Sequence, residues 1–84
     1  MDYELTEHAQ ECLRKRSLIR IEWMKQVIQE PERIELDRVD PELEHRLGRI
    51  QADENRVLRV VVKKDTNPLR IITFYFDRKM RNQL

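Results

Sequence analysis

Apolar residues recur at helical spacing in the first third of this chain and at every second position in the last third. Ala9, Cys12 and Leu13 share one stripe, which predicts a helix over residues 7–16. Thr6 supplies an N-cap hydroxyl for it. Glu7 and Glu11 sit in its early turns and Arg14, Lys15 and Arg16 close it, the order that the helix dipole favours. Ser17 breaks the run. Ile21, Met24 and Ile28 form a second stripe flanked by Trp23 and Val27, which predicts a helix over residues 20–30. Pro31 ends it, because the residue before a proline is pushed out of helical geometry.

Beyond Pro31 the period becomes two. Ile34 and Leu36 predict a short edge strand at 33–37, and Asp40-Pro41 turns the chain into a strand at 44–50. A turn at Asp53-Glu54-Asn55 leads to the β-branched run Val57-Leu58-Arg59-Val60-Val61-Val62, a strand over 57–63. Thr66-Asn67-Pro68 turns it into a partner over 69–76, and residues 77–84 read as a basic tail. Tyr3-Glu4-Leu5 is an extended lead-in. The expected architecture is α+β: two N-terminal helices packed on one face of a three- or four-stranded antiparallel sheet. Strict alternation places Leu58, Val60, Val62, Ile72, Phe74 and Phe76 on the helix side. Val57, Arg59, Val61, Lys63, Leu69, Ile71, Thr73 and Tyr75 then fall on the other side. The second helix is expected to bury Trp23, Val27 and Ile28 against Leu58, Val60, Ile72 and Phe74, so that Trp23→Ala costs roughly 3–5 kcal/mol.

Length and composition narrow the functional classes. Eighty-four residues make one small domain with a modest core. The single cysteine, Cys12, excludes an internal disulfide, and no Cys/His spacing suggests a metal. Gly48 is the only glycine, which excludes a glycine-rich phosphate loop. No cofactor is therefore expected. The acidic N-terminus lacks the apolar centre of a signal peptide, and no apolar run spans a bilayer, so a cytoplasmic protein is expected. A net charge of +1 hides a marked segregation. Residues 1–55 carry nine Lys/Arg against fourteen Asp/Glu, and residues 56–84 carry eight against two. A basic half attracts a phosphate backbone, an acidic protein partner, or simply solvent.

Several phrases then carry a family resemblance. Glu7-His8-Ala9 opens helix one with Arg16 near its end, and Ile21-Glu22-Trp23 opens helix two, which closes at Glu30-Pro31-Glu32. Val57-Leu58-Arg59-Val60-Val61 and Ile72-Thr73-Phe74-Tyr75-Phe76-Asp77-Arg78-Lys79 follow. Together they resemble a family of small prokaryotic domains of uncharacterised function related to the RelE/BrnT-type toxins. Cys12 and a longer stretch between Arg16 and Trp23 depart from that pattern. The resemblance implies a toxin-like fold and metal-independent cleavage of RNA, often messenger RNA on the ribosome. It also implies a separately encoded antitoxin as partner.

Metal-free RNA cleavage needs a base for the 2′-hydroxyl, an acid for the leaving oxygen, and cations for the phosphate charge. Arg59 and Arg78 suit the last task, because a guanidinium grips phosphate with two parallel bonds. Arg59 could equally pair with a cross-strand carboxylate. Tyr75 could move a proton or stack on a base, and His8 could act as acid or base near neutrality. Lys63, Arg49 and Lys79 are the expected RNA-backbone contacts. His45 reads as solvent-facing. Asp77 reads as a turn residue or an orienter of Arg78 or His8, Trp23 as a core anchor, and Cys12 as a small core residue. The rival function is a non-catalytic module that binds RNA or a protein through the same surface.

Overall fold

The computed structural model describes residues 3–15 and 18–84, so the expectations for Arg16 and Ser17 fall outside it. The chain runs β1 (Tyr3–Leu5), α1 (Glu7–Lys15), α2 (Ile21–Gln29), β2 (Arg33–Leu36), β3 (Leu43–Ile50), β4 (Arg56–Lys63) and β5 (Leu69–Phe76). Short 3-10 turns at Gln51–Asp53 and Arg78–Met80 follow β3 and β5. The Thr6 hydroxyl accepts the Ala9 N–H at 3.2 Å and so starts α1 as a cap. At Glu30 the backbone leaves helical geometry one residue before Pro31.

The sheet has five strands in the order β1-β5-β4-β3-β2. From β2 to β5 it is an antiparallel meander, while β1 lies parallel to β5, with Tyr3 opposite Leu69 and Leu5 opposite Ile71. The fold is thus α+β with a mixed sheet, where a purely antiparallel sheet of three or four strands was expected. A strand also precedes the helices. Three residues are too few to show a period, and a parallel partner sixty-six residues away leaves no local signature.

A register shift between Val61 and Val62 changes the side assignments on β5. Val61 pairs with Thr73 but Val62 pairs with Ile71, so Ile72 is the extra residue of a bulge. Beyond it the alternation inverts. Ile71 and Leu69 enter the core with Phe74, Leu58, Val60, Val62, Met24, Val27 and Ile28, and Ile72 does not. The expectation that Ile72 packs under the helix is corrected by one inserted residue.

Trp23 also differs from its expected place. It is partly buried at the margin of the core, its ring 6.3 Å from that of Phe76. Trp23→Ala is therefore expected to cost about 2 kcal/mol, below the range for a fully buried aromatic. Urea denaturation measures this directly; a loss of 4 kcal/mol or more, on the order of a full core truncation, would contradict the marginal placement. Close contact is tighter along α2: a Cβ on Gly48 would lie 3.2 Å from Val27 Cγ2. The lone glycine lets the helix approach β3.

The side of the sheet away from the helices is not simply polar. Leu47, Val57 and Val61 are buried there. The Asp77 N–H donates to the Val57 carbonyl at 2.8 Å, and the turn Arg78–Met80 packs against β4. The residues expected as a basic tail thus begin as a capped turn, with the Asp77 carboxylate accepting the Lys79 N–H. No helix among the described residues is long and apolar enough to cross a membrane.

Candidate functional site

Arg59 lies on β4, the central strand, on the side opposite the helices. Its direct neighbour on β5 is Tyr75. On β3 its neighbour is Leu47, and His45 follows two residues before on the same side. Glu35 on β2 pairs with His45. Four strands therefore carry Tyr75, Arg59, His45 and Glu35 across one face in a row. Asp77, just after β5, and Asp37, just after β2, close the two ends. These six residues, with Leu36, Arg38 and Val39, line a cleft of about 320 Å³.

The hydrogen bonds within the row determine its chemistry. Arg59 donates from Nε to Asp77 at 2.8 Å and from Nη1 to Glu35 at 3.1 Å. Nη1 also lies 2.8 Å from His45 Nδ1. A guanidinium has no acceptor, so Nδ1 must accept and the imidazole proton sits on Nε2. That proton is donated to Asp37 at 2.7 Å. His45 is thus oriented at both nitrogens, and its tautomer is assigned by its neighbours.

The Arg59 side chain is only 11% exposed. Burial works against its charge, but the bonds to Asp77 and Glu35 outweigh this and hold its pKa above the ordinary value. Asp37 is held well below the usual carboxylate range, at about 2. The Asp40 N–H contributes most, then the His45 bond, then the Val39 N–H. Its stabilising contribution is thus complete above the unfolded value near pH 4 and is lost as pH falls toward about 2. The stability gap between wild type and Asp37→Ala should shrink steadily over that interval. A gap unchanged between pH 5 and pH 2, roughly the interval spanning both values, would show that Asp37 is not held in this way.

The other expected site residues fall elsewhere. His8 is exposed on α1, its Nε2 3.5 Å from Cys12 Sγ, in a hollow with Glu7, Gln10, Glu11 and Arg14. It does not line the cleft. Arg78 borders a second hollow with Lys15, Leu18, Ile19, Arg56 and Phe76, which Tyr75 shares. Lys63 pairs with Glu42 at 3.3 Å. Arg49 is clamped by Glu32, with Nη2 2.7 Å and Nε 3.0 Å from Oε1. That clamp lowers the Glu32 pKa and raises that of Arg49. Lys79 is exposed on the terminal turn.

Three of the eight cations of the basic half pair with the acidic half: Arg59 with Glu35, Lys63 with Glu42, and Arg56 with Asp53. Lys64, Arg70, Arg78, Lys79 and Arg81 stand outside the ion pairs among the described residues. Sequence reasoning missed His45, which is largely buried and not solvent-facing as expected, and also Glu35 and Asp37. The available signal was the alternation of β3, which sets His45 on the same side as Leu47. Asp77 was seen but assigned to Arg78 or His8; its partner is Arg59. Among the described residues no group of three His, Cys, Asp or Glu side chains is arranged to hold a metal ion.

No curated protein and no solved structure matches this chain. A family model described as "Domain of unknown function (DUF4258)" matches residues 5–76, which span both helices and the strands from β2 to β5. The cleft residues Glu35, Asp37, His45, Arg59 and Tyr75 all fall within the match, and Asp77 lies one residue beyond it. The chain belongs to the DUF4258 family.

Proposed function

We propose that this protein is a toxin-like, metal-independent endoribonuclease, related to the RelE/BrnT-type toxins, whose site is the cleft around Arg59. One observation carries the reading: a guanidinium, an imidazole and a phenol converge on one cleft, with Arg59 bonded to His45 and directly beside Tyr75. These are the groups that RNA cleavage without a metal requires. The bonds of Arg59 use Nε and Nη1, which leaves Nη2 for a phosphate oxygen. A phosphate that bridges Nη2 and Nη1 displaces His45 from Nη1 and uncovers the Nδ1 lone pair. Nδ1 then takes the 2′-hydroxyl proton as the O2′–P bond forms. As the P–O5′ bond breaks, Tyr75 protonates the departing O5′, leaving a 2′,3′-cyclic phosphate and a 5′-hydroxyl. Arg78, beyond Tyr75 in the adjoining hollow, supplies a cation for the neighbouring phosphate. In such a system a separately encoded antitoxin protein silences the enzyme.

A second reading is a non-catalytic module that binds RNA or a protein. It is favoured by the two carboxylates that already hold Arg59. The readings part on one assay: single-stranded RNA incubated with the protein in chelator, analysed for cyclic-phosphate ends. Cleavage that falls in Tyr75→Phe and His45→Gln supports the enzyme; binding without cleavage, even on translating ribosomes, leaves the module.

A further inference from the structure

The outer edge of β2 presents an unusual row. Ile34 and Leu36 are 54% and 66% exposed. The Asp37 N–H donates to the Leu43 carbonyl on β3, so the odd-numbered residues of β2 direct their backbone groups inward. The N–H and C=O groups of Ile34 and Leu36 therefore point away from the sheet. Arg33 and Glu35 lie on the opposite face from Ile34, bonded to each other at 3.0 Å. Mixed charges on an edge normally discourage pairing with foreign strands. This pattern is different because it complements itself.

We infer that β2 pairs with β2 of a second copy of this chain, antiparallel about a two-fold axis through Ile34, so that one sheet runs through the dimer. In that register each outward pair of backbone groups on Ile34 meets its own copy. Arg33 of each chain faces Glu35 of the other, twice, and Ile34 packs on Ile34 with Leu36 diagonal to it. The neighbouring symmetric register, with the axis through Glu35, sets two carboxylates side by side and is disfavoured. A register displaced by one residue breaks the alternation of faces. The same charges that repel other strands thus select this one, and symmetry closes the contact at two copies. The inference is independent of any chemistry in the Arg59 cleft.

The test uses the purified full chain. Sedimentation should show a concentration-dependent dimer, and Ile34→Lys, which sets two ammonium groups on the axis, should be monomeric with the melting temperature that wild type shows at dilutions where it too is monomeric. A cysteine pair tests the register even if that variant folds poorly. In a Cys12→Ala background, Ile34→Cys places two Cα atoms about 5.5 Å apart, within disulfide range. Oxidation should cross-link it almost fully. Leu36→Cys separates the two copies by four residues, about 13 Å along the strands, and should stay largely uncross-linked. Three results each overturn the inference. They are a wild-type chain monomeric at every concentration, which leaves the edge to a different protein; a dimer indifferent to Ile34→Lys; or Leu36→Cys cross-linking as well as Ile34→Cys.

Discussion

Arg59→Met is expected to lower the stability of this domain by about 3 kcal/mol. Methionine preserves most of the side-chain length and apolar contact, so the loss isolates the guanidinium. Its removal strands the Asp77 and Glu35 carboxylates and the Nδ1 acceptor of His45 in a largely buried setting. Breaking a buried charge cluster by deleting one member costs roughly 3–5 kcal/mol, and partial exposure places this case at the lower end. A domain of this size has on the order of 5–10 kcal/mol in total, so the variant should unfold at much lower urea. Arg59→Lys keeps the charge but not the fork, and its midpoint should lie between the two. A midpoint for Arg59→Met equal to wild type would show that the cluster holds nothing together.

Tyr75→Phe and His45→Gln should each reduce RNA cleavage by about a hundredfold or more while leaving RNA affinity nearly unchanged. General acid–base catalysis typically contributes on the order of 10²–10⁴ in rate, and each substitution removes one proton-handling group. Neither residue is the main source of backbone affinity, which rests on several cations. Tyr75→Phe is the cleaner test, because it removes only a hydroxyl from a half-buried ring and should fold like wild type. Arg59→Lys should lose a comparable factor through its weaker hold on the transition-state charge. Equal cleavage by all three variants would keep the fold and displace the site.

The sequence announced its regular elements well and its long-range contacts poorly. Both helices, the Thr6 cap, the Pro31 stop and the strands from β2 to β5 follow from local spacing and capping chemistry, and they lie close to their expected bounds. The β5 bulge does not, because a single inserted residue leaves the hydrophobic composition of the strand unchanged while inverting which side chains face the core. The parallel strand β1 escapes for want of length. At the site, the Arg59–Tyr75 pair was legible from alternation within one hairpin. Arg59's ion pairs were legible only in kind: a carboxylate partner was foreseeable, but Glu35 and Asp77 lie twenty-four and eighteen residues away. His45 was hidden in a charged stretch that resembles a solvated turn; its alternation with Leu47 was the one local sign, and its partners Glu35 and Val61 follow only from the register. The segregated charge of the two halves likewise conceals how many cations are consumed within the fold.

The most direct test of the central claim is product analysis of a short single-stranded RNA incubated with wild-type protein in excess chelator, alongside Tyr75→Phe. The account predicts fragments ending in 2′,3′-cyclic phosphate from wild type, and about a hundredfold fewer from the variant at equal RNA occupancy. Intact RNA at full occupancy, both free and on translating ribosomes, would contradict it.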